Sequence, residues 1–330
     1  QKTAYEIKEC DWSSDVCSSD LVKSLIPATD IDLKESKERF DKDLEFGTAG
    51  IRGVMQAGYS RINEVTIFLF ASAIFEYFKS VKKNHLKVVI GFDARLNSDI
   101  FANELANVLS TNKNYDIHIF DKFIPTPLCA FATKHIKADI GFMITASHNP
   151  KEDNGIKVFD NNAMQMEKSI LNSIAHFLNN NISRTDFWKS NYKNQIFYIA
   201  KETYQAYFDY ILSTQLLANE PKNNNIKFVY TPLHGVAKRY FTQVIQQEKY
   251  SQIINVKTQE EPNGHFPTVD FPNPEEDSTL DQAYDLANQH NIDLVFANDP
   301  DADRVQVAFR ENNIFKKLTG NEMGIILAYF

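Results

Sequence analysis

Short apolar runs alternate with longer amphipathic stretches along most of this chain, and no other feature constrains the fold as much. Residues 87–92 read as a buried strand, followed by a helical stretch over 99–110. Two further apolar strands, 115–120 and 139–144, are separated by a helical stretch at 128–135. A long helix over 65–82 precedes them and another over 166–179 follows. This order predicts an α/β fold: successive three-layer α/β/α domains built on mixed, mainly parallel sheets.

At 330 residues the chain is too long for one ordinary domain and comfortable for two. A polar, Asn-rich zone over 179–195 marks a boundary near 195, with a helix over 202–217 leading across it. The rhythm then restarts. Strands are expected at 226–230, 253–257, 293–297 and 305–309, and helices at 237–247 and 280–290. Residues 259–276, with four prolines, read as a long irregular loop. The expected organisation is a first domain over 22–195, a second over 196–312, and the opening of a third over 313–330.

The N-terminus stands apart. Residues 11–21, DWSSDVCSSDL, have no helical or strand period and match the in-frame translation of a common short-read sequencing adapter. Residues 1–21 are therefore expected to be joined in error, like a cloning scar. At the other end the chain stops at Tyr329-Phe330 inside an apolar helical pattern with no cap, so truncation at both ends is expected.

Composition excludes several functions. A net charge of −8 argues against non-specific nucleic-acid binding, which needs a positive field. No run reaches the roughly 18 apolar residues of a membrane helix; the nearest, 65–78, contains Glu76. Cys10, Cys17 and Cys129 are too few for a disulfide framework. They fit a reducing compartment, so a cytoplasmic location is expected.

Three loops carry the chemistry. The first, Thr145-Ala146-Ser147-His148-Asn149-Pro150, follows the strand at 139–144. Ligands of open α/β sheets bind at the carboxyl ends of strands. Serine needs activation to act as a nucleophile, and His148, Lys151 and Lys157 offer a cationic setting that suits a phosphate on Ser147. A capped turn would use the same residue types. The second loop is Asn298-Asp299-Pro300-Asp301-Ala302-Asp303-Arg304. Its three alternating carboxylates repel one another unless a cation joins them, and oxygen ligands favour magnesium or calcium over zinc. Arg304 beside them could hold a phosphate bidentately. The third is FGTAGIRG over 46–53: four of the 11 glycines fall between 47 and 58, and Arg52 sits among them. Such clustering implies special backbone dihedrals or close ligand approach.

Taken together, these stretches resemble the α-D-phosphohexomutases, the family of phosphoglucomutases and phosphomannomutases. The resemblance runs from about Asp41 to the end. It rests on FGTAGIRG (46–53), PTPL (125–128), TASHNPKEDNGIKVF (145–159), TPLHGV (231–236), FPTV and PNPEE within 266–276, DPDADR (299–304) and LTGNEMG (318–324). It implies that Ser147 is a phosphoserine that donates and recovers the phosphoryl group. Asp299, Asp301 and Asp303 would bind Mg2+, with the phosphate on Ser147 as a further ligand. Arg52 and Lys157 would be electrostatic and general acid/base groups, His148 would line the site, and Thr48, Arg52 and Arg304 would meet phosphate. The implied reaction moves phosphate between the 1- and 6-positions of a hexose phosphate, a small-molecule substrate, with hexose 1,6-bisphosphate as intermediate and activator. Asp153 and Ile156 stand where aromatic residues are usual, and Gln56 where glycine is usual. A sugar-recognising loop and a fourth, phosphate-clamping domain are missing from the 330 residues, so little mutase activity is expected of them alone. A phosphopentomutase-like enzyme, a metal-dependent phosphatase and a non-catalytic sugar-phosphate sensor are the alternatives.

Overall fold

The structure, a computed structural model, describes residues 30–41, 44, 50–180, 196–214, 226–247 and 252–329. The adapter-like segment, Thr48 and the expected boundary zone at 181–195 lie outside the described residues.

A helix Asp30–Phe40 (α1) leads to a strand Ile51–Val54 (β1) and the long helix Glu64–Ser80 (α2). Asn63 starts α2 with a reciprocal box: its side chain accepts the Thr66 N–H, and Thr66 Oγ1 accepts the Asn63 N–H. Then come Leu86–Phe92 (β2), Ser98–Leu109 (α3), Tyr115–Ile119 (β3), Thr126–His135 (α4), Ile140–Ile144 (β4), Asp153–Asp160 (β5), Lys168–Asn180 (α5) and Ile196–Tyr198 (β6). They form a six-stranded sheet in the order β1-β5-β4-β2-β3-β6. Its centre, β4-β2-β3-β6, is parallel, while β5 pairs antiparallel to both β4 and β1.

Alternate residues of the central strands feed opposite layers, as the period of two demands. Val88, Ile90, Phe142 and Ile144 join a core under α2, α3 and α5. Val89 and Met143 join a second core with Leu128 and Cys129 of α4. Lys201–Ser213 (α6) packs Phe208 into that second core, beside Tyr240.

The second sheet comprises Lys227–Thr231 (β7), Gln252–Asn255 (β8), Leu294–Asn298 (β9), Val305–Glu311 (β10) and Ile314–Lys317 (β11), in the order β11-β10-β9-β7-β8. Lys238–Gln247 (α7) and Asp281–Gln289 (α8) cover its two faces, around Phe228, Tyr230 and Phe241 on one side and Val229, Ala283, Ala287 and Val295 on the other. β9-β7-β8 is parallel; β10 and β11 add an antiparallel hairpin. Residues 314–317, read from the sequence as part of a third unit, pair in this hairpin. Beyond it lies Gly320–Tyr329 (α9), with no buried residue.

Four strands lie where periodicity places none: β1, β5 and the short edge strands β6 and β11. β6, at 196–198, pairs with β3, so the first sheet runs past the boundary expected near 195. β1 lies in a stretch that reads as a glycine-rich turn, and β5 in one that reads as the continuation of the serine loop. Six consecutive residues of β5 are buried, which erases the alternation that would mark a strand. The glycines serve this pairing. A Cβ on Gly155 would lie 2.2 Å from Ile51 O, and one on Gly50, at φ +98°, 1.9 Å from Ile156 O.

Candidate active site

The site forms at the carboxyl ends of β2, β4 and β9. Just past β4, Thr145 is buried, and its Oγ1 donates to Asp93 Oδ2 (2.7 Å) and accepts the Ser147 N–H (2.7 Å). Ser147 is itself buried and sits in the left-handed region at φ 56°, a conformation that costs an L-residue on the order of 1 kcal/mol and persists only when its surroundings impose it. Asp93, just past β2, also accepts from Ser98 Oγ and the Arg95 N–H. Burial pushes the Asp93 carboxyl upward, against the opposing charge of Arg95. The buried Arg95 guanidinium donates to four carbonyls of the serine loop: Ser147 (2.7 Å), Asn149 (2.6 Å), Pro150 (2.8 Å) and Asp153 (3.0 Å).

The acidic loop comes from the other unit. Ala302, at φ 57°, bends it back, and its N–H donates to Asp299 O. One oxygen from each of Asp299, Asp301 and Asp303 then lies within 4.8 Å of the others. This is the tight loop that convergence of alternating carboxylates requires. Pro300 packs on Gly235, and its carbonyl accepts the Val236 N–H, so the TPLHGV stretch supports the loop from behind. Thr126 fastens the front: its N–H donates to Asp301 O and its Oγ1 to Asp301 Oδ2.

Ser147 Oγ donates to Asp299 Oδ2 over 2.8 Å, bringing the two loops together. Lys157, on β5 and 2 % exposed, places Nζ 2.5 Å from both Asp301 Oδ2 and Asp303 Oδ2. Burial opposes charge on Asp301, but Lys157 overcomes it and holds the carboxyl below its ordinary range. Burial likewise works against the Lys157 ammonium, and the two aspartates more than restore it. Asp299 goes the other way, pushed well up by burial and by its acidic neighbours.

The remaining expected groups ring this centre. Arg52, presented by β1, donates Nη1 to Asn149 Oδ1 (2.9 Å). Burial, with the charges of Arg304 and Arg52, pushes His148 down to about 4, so its imidazole is neutral at pH 7. Arg304 is 3.8 Å from Glu275 of the PNPEE stretch, and its N–H donates to Asp299 Oδ1. Ser147, His148, Lys157, Arg52, Arg304 and the three aspartates are thus assembled from two units. Asp93 and Arg95 are not singled out by the sequence, because nothing local distinguishes them from turn residues; Thr126 lies in the PTPL stretch, which by itself assigns it no role.

The residues fit a hard cation. The cluster offers oxygen ligands only, and Asp301 Oδ1 is buried without a hydrogen-bond donor. Magnesium suits such a set better than zinc.

Comparison with known proteins decides the family. The phosphoglucomutase/phosphomannomutase alpha/beta/alpha domain I matches residues 43–185, and domain II of the same family matches 205–312. The chain belongs to the phosphoglucomutase/phosphomannomutase family. Among its relatives, the phosphoribomutase of Saccharomyces cerevisiae is 35% identical over 320 residues, covering 91% of this chain and 51% of that protein. The phosphoglucomutase of Staphylococcus saprophyticus is 33% identical over 300 residues, covering 89% and 53%. A phosphoglucomutase/phosphomannomutase family protein from Burkholderia thailandensis superposes with a TM-score of 0.62 at 20% identity, over 80% of this chain and 54% of that one. The chain therefore spans about half the length of these mutases. No described helix is long and apolar enough to cross a membrane.

Proposed function

We propose that these residues form the phosphoserine and metal-binding half of a sugar-phosphate mutase site, with Ser147 as the group that carries phosphate. The observation that supports this most is the 2.8 Å hydrogen bond from Ser147 Oγ to Asp299 Oδ2, which sets a strained serine against an acidic cluster and a buried lysine. When phosphate returns to the protein, Ser147 Oγ attacks phosphorus. The Oγ–P bond forms, the bond from phosphorus to the sugar oxygen breaks, and the departing sugar oxygen takes up the proton that Ser147 loses. Phosphoryl transfer needs little more than positioning and charge neutralisation.

Lys157 is held as an ammonium, so its part is to stabilise charge and to donate a proton to a departing sugar oxygen. Arg52 and Arg304 flank the loop as phosphate-binding cations. The neutral His148 is a hydrogen-bonding group beside Ser147. Asp299, Asp301 and Asp303 would hold Mg2+, which would neutralise charge on the phosphoryl oxygens.

The substrate class is a hexose or pentose monophosphate, with the sugar 1,6- or 1,5-bisphosphate as phosphate donor; the pentose alternative rests on the yeast relative's name. A cytoplasmic location goes with such a substrate. The test is to incubate the purified chain with glucose 1,6-bisphosphate and magnesium and map its peptides by mass spectrometry. Phosphate on the 145–151 peptide at Ser147 is expected; an unmodified Ser147 would overturn the proposal.

A further inference from the structure

We propose that Arg95 is a positioning residue that couples the serine loop to the acidic loop across the two units, with Phe266 as its anchor in the second. The proposal deepens the phosphoserine reading and rests on it for its catalytic consequence.

Arg95 is 3 % exposed, and its four carbonyl acceptors span residues 147–153. Four carbonyl dipoles converging on one point repel one another without a cation between them. Only a guanidinium supplies a planar fork of donors to meet several acceptors at once. The same group faces the other unit. Its central carbon lies 5.2 Å from the centroid of the Phe266 ring, within cation–π range. The Arg95 backbone also bridges to Gly264, where a Cβ would come within 2.6 Å of Ala94 O and Leu96 N. Phe266 is itself buried and held at φ 45°.

From there the contacts run back to the acidic loop. The Phe266 N–H donates to Asn263 O, the Asn263 N–H to His234 O, and the next residue, Gly235, packs on Pro300 between Asp299 and Asp301. One end of this brace therefore holds the Ser147 carbonyl and the other supports the backbone that carries Asp299. The Ser147–Asp299 distance is set by both ends. A misplacement of about 1 Å in such a pair costs a transfer step on the order of 10²-fold.

The test uses the full chain with R95K and F266L, reading two quantities. The first is amide hydrogen exchange over 145–153, with 86–92 and 227–231 as internal references for the intact sheets. The second is the rate of Ser147 phosphorylation by glucose 1,6-bisphosphate and magnesium. With both sheets protected as in wild type, F266L is expected to speed exchange over 145–153 and to slow phosphorylation roughly 10-fold or more. R95K, which keeps the charge and loses the fork, should slow it about 10²-fold. Wild-type exchange over 145–153 in F266L, or a wild-type phosphorylation rate in R95K, overturns the proposal. Should wild-type protein take up no phosphate, the phosphoserine reading falls, and the exchange result alone decides the coupling.

Discussion

Ser147 and Asp299 stand 152 positions apart in the chain, yet the hydroxyl of one donates to the carboxylate of the other over 2.8 Å. Each follows the carboxyl end of a strand in a different sheet, β4 for Ser147 and β9 for Asp299. The site therefore exists only where the two units meet.

The left-handed backbone at Ser147 predicts an asymmetry between two substitutions that both remove the hydroxyl. Ser147→Gly should be more stable than Ser147→Ala by about 1 kcal/mol, because glycine adopts φ 56° without the Cβ clash. Urea melts of the two proteins measure the difference, and equal stabilities would mean that the loop relaxes to an ordinary conformation. Neither variant should accept phosphate.

Lys157 neutralises Asp301, which is fully buried. Removing one partner of a buried pair leaves an uncompensated charge and costs about 3 kcal/mol. Lys157→Met should lose about that much in EDTA. Magnesium should raise the melting temperature of the wild type and recover part of the loss in the variant. A variant as stable as wild type in EDTA would show that Lys157 does not neutralise the cluster.

Gly155 of β5 faces Arg52 of β1 in the register. A Cβ there would be 2.2 Å from Ile51 O and 3.0 Å from Thr145 O, both backbone atoms that cannot swing aside. Gly155→Ala is expected to destabilise the first unit by about 2 kcal/mol. Because Arg52 pairs with Gly155 in the register, its hydrogen bond to Asn149 should be lost as well. Thermal melts, with the Arg52 side-chain resonance followed by NMR, test both effects.

Cys129 is buried against the first sheet, and its Sγ–H donates to Phe142 O. Burial pushes the thiol up to about 12 from 9.0. Iodoacetamide at pH 8 should therefore leave Cys129 unlabelled until the protein unfolds, as peptide mapping would show. The unfolded chain loses this proton first, so the contribution to stability is complete below pH 9 and falls away as pH rises towards 12. Fast labelling of the native protein would contradict the packing of α4 on the sheet.

Much of the fold is legible in local pattern. The helix at Glu64–Ser80 and the strands at Leu86–Phe92, Tyr115–Ile119 and Ile140–Ile144 lie within a few residues of where periodicity puts them. What periodicity missed were β1 and β5, strands that glycine and continuous burial disguise, and the edge strands β6 and β11, too short to show an alternation. In the site, Ser147 and the three aspartates announce themselves by motif. Arg95 and Asp93 do not, because a side chain that binds distant carbonyls or hydroxyls leaves no mark on its own neighbours in sequence.

The sequence by itself determined the α/β alternation, the serine and acidic loops and the family to which they belong, since these rest on residue type and short-range order. Only the tertiary structure decided that the serine of one unit meets the aspartates of the other, that Lys157 is an ammonium among carboxylates, and that a buried arginine ties the loops together. Those facts depend on burial and on charges brought within a few ångströms by folding. Neither quantity is defined until the chain has closed on itself.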